Sequence, residues 1–281
     1  MAPLGSTVAS SPVASTTPET LTSFPGTSQA VATNAFGGDQ EVTPPNEDVA
    51  ASPSDVVEVV NSTIYVYTRY SDEIVGAADL NVFMNVPSGY HSSDPRVIYD
   101  ATAGRFWVTV TEVPDNYSPG NCPAAQPVLI AVSASSNPLP FSDWIVYGLP
   151  MAMSPNEVPV ATEFGDQPGL GISSYAVTVT WDDYTCANQF QGSEIDVLQK
   201  VDFEHATGNS SLYFFYDGPF APQPVQGLGL MSLTYIVANE SDCLGNGCSN
   251  GVPDALVQAF TGTPESAGGV VNQPFHYLPM T

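Results

Sequence analysis

An all-β fold assembled from one recurring four-stranded antiparallel unit is what this sequence predicts, and three observations predict it. Apolar residues alternate with polar ones at period two over most of the chain, as in "RFWVTVTEV" (105–113) and "AVTVTWDDY" (176–184). Gly, Pro, Asn and Asp clusters interrupt these runs at short intervals, and no segment beyond about residue 40 shows a convincing helical period. The order of parts also repeats: an acid or amide, a proline, a short strand, a turn and a longer strand.

In the first unit Asp48 precedes "VAAS" (49–52), a Pro-Ser turn and "DVVEVVN" (55–61), then "STIYVYTRY" and "ADLNVFMNV". In the second, Asp94-Pro95 leads into "RVIY", "FWVTVTEV", "PVLIAVSAS" and "FSDWIVYGLP". The third runs from Asp166-Gln167-Pro168 through "GLGIS", "AVTVTWDDY", "SEIDVLQKVD" and "SSLYFFYDGP". The fourth runs from Gln223-Pro224 through "VQGLGLM", "LTYIVANES" and "DALVQAFTG" to a weaker "GGVVNQPF". Four strands recurring at about 40 to 50 residues, with the excess in loops, are the signature of β-propeller blades. The blades fall near 41–90, 91–155, 156–220 and 221–281.

The strand that opens each unit is short and rich in Gly, Ala and Ser, which suits the crowded innermost position of a blade. Gly169-Leu170-Gly171 and Gly227-Leu228-Gly229 are read as packing glycines of such strands. No helix follows either of them, as dinucleotide binding would need. Trp107, Trp144 and Trp181 lie in or at the ends of strands and are expected in the packing between blades.

Residues 1–40 are a different material. Ser, Thr, Pro and Ala dominate, no apolar period persists, and a flexible linker or stalk is expected, its end ordering near Phe36. Domain 41–281 carries the propeller.

Composition narrows the function. Four basic residues (Arg69, Arg96, Arg105, Lys200) face 29 acidic ones, a net charge of −25, which repels nucleic acid and anionic membranes. No apolar run is long enough to span a bilayer, so no membrane insertion is expected. Scarce Lys and Arg, abundant Ser, Thr, Gly and Tyr, and sequons at Asn61, Asn116, Asn209 and Asn239 suggest an extracellular or cell-surface protein. No secretory signal is visible at the N-terminus. Four cysteines permit three pairings. Cys243 and Cys248 enclose "LGNG" and suit a disulfide at a hairpin tip; Cys122 and Cys186 would form the second bridge. The alternative is four thiols; zinc is disfavoured because no CxxC pair exists and His91, His205 and His276 are far apart.

The stretches "PPNEDVAASPSDVVEVVNSTIYVYTR", "DPRVIYDATAGRFWVTV", "GDQPGLGISSYAVTVT" and "EIDVLQKVDF" resemble, in that order, a group of secreted, largely uncharacterised microbial β-propeller repeat proteins, loosely termed sialidase-like. The resemblance covers roughly 41–281 and implies a propeller in an extracellular setting, with no settled activity. Two departures stand out. Asn46-Glu47-Asp48 replaces the group's Asp after Pro-Pro, and the chain ends near the fourth strand of unit four, so the ring is either four-bladed or incomplete. A sialidase needs an arginine triad, and three arginines scattered over the chain, with no Asp box, do not supply one.

Two acidic groups are candidates for chemistry. Asp182, Asp183 and Glu194, with Asp196 beside it, sit at the end of one strand and on the next, where a glycosidase's paired carboxylates would be placed. A charged outer strand that discourages edge pairing explains them as well. Asp48, Asp94 and Asp166 precede the inner strand in three successive units. They would either converge on a hard cation such as Ca²⁺ or each cap its own turn. The expectation is a non-catalytic recognition or structural module for an extracellular protein or carbohydrate. The alternatives are a polysaccharide hydrolase or lyase, and a self-assembling surface protein that uses the open edges of an incomplete ring.

Overall fold

The computed structural model describes residues 23–37, 44–71, 73–115, 118, 127–138, 141–149, 163–185, 187–206, 212–215, 219–239, 254–272 and 276–279. Cys122, Cys186, Cys243 and Cys248 lie outside these residues, as do Asn116 and Asn209.

Among the described residues four antiparallel sheets follow one another along the chain. The first contains β1 (Glu47–Ala51), β2 (Asp55–Val60), β3 (Thr63–Thr68) and β4 (Ile74–Asp79). The second contains β5 (Tyr90–Asp100), β6 (Arg105–Pro114), β7 (Val128–Ser133) and β8 (Trp144–Leu149). The third contains β9 (Glu163–Ile172), β10 (Ala176–Thr185), β11 (Phe190–Gln199) and β12 (Leu212–Phe215). The fourth contains β13 (Gln223–Pro224), β14 (Leu233–Asn239), β15 (Asp254–Thr261), β16 (Val271–Asn272) and β17 (His276–Pro279), the last two both paired to β15. Each sheet is a meander, and the opening strands β1, β5, β9 and β13 neighbour one another in series. The protein is a β-propeller of four-stranded blades, as the repeats predict.

Three cores separate the four sheets. Val57, Val59, Ile64 and Val66 meet Val97, Phe106, Val108 and Val110 between the first and second. Ile98, Trp107 and Ile130 meet Val177, Val179 and Trp181 between the second and third. Ala176, Ile195 and Val197 meet Ile236 and Phe260 between the third and fourth. All three tryptophans are buried there, as expected. Strands of the two inner sheets are therefore buried on both faces, and β7 and β10 read as nearly continuous buried runs.

Several local expectations are corrected. The opening strands of units two and three are not short: β5 has 11 residues and β9 has 10. Each passes through a β-bulge, so only the part beyond it resembles the small-residue strand seen in the sequence. The fourth strand of unit one is β4, and "LNVF" is instead a helical turn, α2 (Leu80–Phe83). Asp79 fixes it by accepting hydrogen bonds from the Asn81 and Val82 amides at 2.9 and 3.2 Å. A second short helix, α3 (Lys200–His205), continues β11 where strand was expected. In unit four the inner strand is Gln223-Pro224, and "VQGLGLM" is largely irregular, with Leu228 and Leu230 exposed.

The linker expectation also changes over 23–37. This stretch contains α1 (Gln29–Phe36), the first helix among the described residues, capped by Ser28. Phe24 packs on Tyr67, Phe36 packs on Tyr65, and the Thr27 amide donates to Glu58. These contacts cover the outward face of the first sheet. Low complexity hid them, because two isolated aromatics make a contact without making a period.

The two G-x-G pieces part company. A Cβ on Gly171 would stand 2.4 Å from the Pro224 Cβ, and one on Gly169 would stand 2.7 Å from the Pro224 Cδ. Those glycines let β9 and β13 approach, which is the packing role read from sequence. In the second piece a Cβ on Gly227 would stand 2.8 Å from the Ile172 carbonyl oxygen, so it too packs closely, whereas one on Gly229 would meet nothing within 4 Å.

Candidate functional site

The bulges decide which residues are equivalent. Asp94, Gln167 and Ala221 each have a positive φ (50°, 51° and 51°), and each directly precedes a proline. Asp94 and Gln167 sit in the bulges of β5 and β9. Asp94 thus corresponds to Gln167, and Asp166 stands one residue earlier. The sequence alignment of Asp48, Asp94 and Asp166 at one position does not hold. β1 pairs with β2 without a register shift, and Asp48 lies within it.

The one-residue offset nevertheless brings two of the three acids together. The carboxyl of Asp166 is hydrogen-bonded to that of Asp94, and Asp182 lies directly across the β9–β10 pairing from Asp166. Burial, then the charge and hydrogen bond of Asp94, then the charge of Asp182, push Asp166 up to about 6; the Gln167 amide opposes the shift. With burial and the neighbouring acids acting together, Asp166 keeps its proton into weakly acidic solution. Asp94 is held from its other sides by the Asn46 amide group and, at 3.1 Å, by the Ser93 hydroxyl.

Asp182 is almost fully buried, and burial raises its carboxyl; the Ser193 hydroxyl at 2.6 Å and the Ala221 amide at 2.9 Å pull it back, both donating to Oδ1. Asp48 has a different role. Its Oδ2 accepts from the Val97 amide on β5 at 3.0 Å and its Oδ1 from the Val49 amide at 2.9 Å. That ties the first blade to the second. No group of three or more His, Cys, Asp and Glu side chains arranged to hold a metal is found among the described residues.

Beside the acids stands a run of aromatic rings. Phe164 stacks on Tyr184 at 5.8 Å, Tyr184 meets Phe190 edge to face at 5.9 Å, and Phe190 meets Phe220 at 5.3 Å. All four are half-buried. Burial raises the Tyr184 phenol, and the charges of Asp182 and Asp166 raise it further, which places that ring next to the carboxyls.

The other acids of this region are interior. Asp183, Glu194 and Asp196 are fully or almost fully buried, with Glu194 opposite Trp181 and Asp196 opposite Val179 on the face that packs toward the second sheet. Burial, then the charge of Asp183, raises Asp196 well above the usual carboxylate range. The outer-strand explanation therefore fails, since β10 and β11 are the two central strands of their sheet. Asp183 and Glu194, two of the three catalytic candidates, are closed off from solvent in this packing.

Sequence reading missed the Asp94–Asp166 contact and the ring cluster. The available signal was the residue before proline in "SDP", "DQP" and "FAP", which sets the true register, together with the aromatics flanking it in "EFGDQP" and "GPFAP".

All four basic side chains serve the scaffold. Arg69, Arg96 and Arg105 donate to the carbonyls of Ser52, Pro168 and Ser133. Lys200 is buried and donates to Asp100 at 2.7 Å and to the Ser173 carbonyl at 3.2 Å. No arginine triad gathers at the acids. No helix among the described residues is long and apolar enough to cross a membrane.

No family model and no curated protein matches the chain. Among solved structures it is similar to the GH43 BlXynB protein from Bacillus licheniformis (12% identity, 84% of this chain and 41% of that one, TM-score 0.41). It is also similar to a GH43 β-1,3-galactosidase with galactodeoxynojirimycin (12% identity, 81% of this chain and 75% of that one, TM-score 0.39). A third is an exo-β-1,3-galactanase from Phanerochaete chrysosporium (12% identity, 81% and 49%, TM-score 0.37). The chain spans less than half the length of the first and third.

Proposed function

We propose that the protein acts on a polysaccharide, with Asp166 as the general acid of glycoside hydrolysis. The observation that carries this is the contact between the Asp94 and Asp166 carboxyls, where burial and the Asp94 charge push Asp166 up to about 6, beside a cluster of half-buried aromatic rings. A glycosidic oxygen leaves readily only when it is protonated as its bond breaks, and an acid that keeps its proton near neutrality supplies that proton. Asp166 gives its proton to the departing oxygen, water adds to the sugar carbon, and the water's proton restores the acid. Asp94 is the positioning partner: its charge and hydrogen bond keep the proton on Asp166. The apolar faces of sugar rings suit the flat rings of Tyr184 and Phe190.

A recognition module is the second reading, since the aromatic cluster by itself suffices to bind a glycan. Reducing-end release from a panel of soluble polysaccharides, measured across pH 4 to 8, separates the two. Hydrolysis that falls by about 100-fold or more in Asp166→Asn supports the acid role. Saturable binding without release of ends by the wild type, unchanged in the variant, establishes recognition instead. Release at an undiminished rate in Asp166→Asn contradicts the assignment.

A further inference from the structure

The seam between the second and third blades carries acids and no cation to meet them. Asp183, Glu194 and Asp196 are no more than 1% exposed. They share the face of the third sheet that carries Trp181, Val179 and Leu198 into the core beneath the second. An ionised carboxylate in such a place is strongly disfavoured unless a cation is paired with it. The chain has four Lys and Arg side chains, and each is engaged elsewhere. Arg96, on the opposing sheet, donates to the Pro168 carbonyl at 3.3 Å and Arg105 to the Ser133 carbonyl at 2.7 Å. Arg69 donates to the Ser52 carbonyl in the first blade. Lys200 of α3 is paired with Asp100 at 2.7 Å.

The other titratable groups packed here do not supply a positive charge either. Tyr147 donates to the Phe203 carbonyl at 2.8 Å, and α3 adds two more acids, Asp202 and Glu204. His205 is exposed at the end of α3, and His91 is exposed beside Asp115. Asp182 faces the other way, toward Ala221 at the entry to the fourth sheet. Neither ion pair among the described residues includes the three acids. Neither Asp196 oxygen has a hydrogen-bond partner among the described residues. We propose that this seam is a proton-dependent joint: the two blades pack as described while its carboxyls are protonated, and the seam loosens as they ionise. Burial, then the charge of Asp183, acts on Asp196 in that direction. A carboxyl whose folded pKa stands above its unfolded value contributes stability that is complete below the unfolded value. That stability is lost as pH rises toward the folded one. The joint thus suits acidic surroundings. The proposal is independent of the glycan-hydrolysis reading.

Thermal melts of the full chain across the acid-to-alkaline range, wild type beside Asp196→Asn, are the experiment. In acid the two proteins should melt together, because a neutral amide replaces a neutral carboxyl. In mildly alkaline solution the variant should melt higher by about 5 °C or more. Trp107 and Trp181 are buried in this seam. Native tryptophan emission should therefore move to longer wavelength in the wild type as pH rises, and stay fixed in the variant. Should Asp196→Asn fail to fold, Asp183→Asn removes the neighbouring charge and is expected to act in the same direction. A melting difference that does not grow with pH overturns the proposal, as does wild-type emission that stays fixed while the melting temperature falls. Recovery of the wild type in alkaline solution on adding Ca²⁺ would show that a cation closes the seam, and overturns it too.

Discussion

Asp100 and Asp166 are buried or half-buried carboxyls at the two ends of neighbouring inner strands, and the protein treats them in opposite ways. Burial would raise Asp100. The hydrogen bond and charge of Lys200, the Thr102 hydroxyl and the Ala103 amide outweigh it and hold the group below the usual carboxylate range. Asp166 meets other acids and one backbone amide, and is pushed up to about 6. The chain's single lysine is spent joining the turn of the second blade to the end of β11 in the third. Lys200 closes the blades at Asp100, whereas at Asp166 burial and the charges of Asp94 and Asp182 keep a proton. A structural acid is made by giving it a partner, and a reactive one by withholding it.

The largest effect expected from breaking this contrast is at Lys200. Lys200→Met leaves Asp100 charged and buried, and a loss of about 3–5 kcal/mol in unfolding free energy is expected from denaturant melts near pH 7. Because the folded pKa of Asp100 lies below its unfolded value, the stability it contributes is present above that unfolded value. It disappears as pH falls through the folded one, so the variant's deficit narrows in acid. Next is Gly171→Ala, whose methyl must displace Pro224. A loss of about 2 kcal/mol, read from the same melts, is expected with the carboxyl pair left intact.

Asp166→Asn acts with the opposite sign. The folded pKa is raised from 3.8 to about 6, so the wild type loses stability as pH rises between those values. The variant should therefore be more stable than wild type by about 1 kcal/mol at pH 8, after discounting for partial exposure, and no more stable at pH 3. The smallest effect expected is from Ca²⁺. Asp48 has both oxygens engaged by amides, and both Asp94 oxygens accept from Asn46 and Ser93, so calcium or a chelator should move the melting temperature by less than about 1 °C. A calcium-dependent rise that vanishes in Asp94→Asn/Asp166→Asn would restore these acids as a cation site.

The architecture was legible because blade packing writes itself into the sequence as alternation, tryptophans at sheet interfaces, and glycines where β9 meets β13. What escaped reading were one-residue offsets. Asp94-Pro95 and Asp166-Gln167-Pro168 look like one motif when the acids are aligned. The bulge aligns the residue before proline instead, and moves Asp166 against Asp94 rather than to the equivalent place. Asp183, Glu194 and Asp196 looked like solvent-facing acids, since burying three carboxylates on one face is rarely expected. Residues 23–37 were misread for the reverse reason, because their order comes from the first sheet and not from themselves.

A carboxyl titration reads the proton on Asp166 directly. In protein carrying carbon-13 at the aspartate carboxyls, the resonance lost in Asp166→Asn should titrate in the wild type with a midpoint near 6. In Asp94→Asn that midpoint should fall toward the ordinary aspartate range as the neighbouring charge is removed. A wild-type midpoint near 4, unaffected by Asp94→Asn, would show that the two carboxyls ionise independently and would contradict both the retained proton and the acid role built on it.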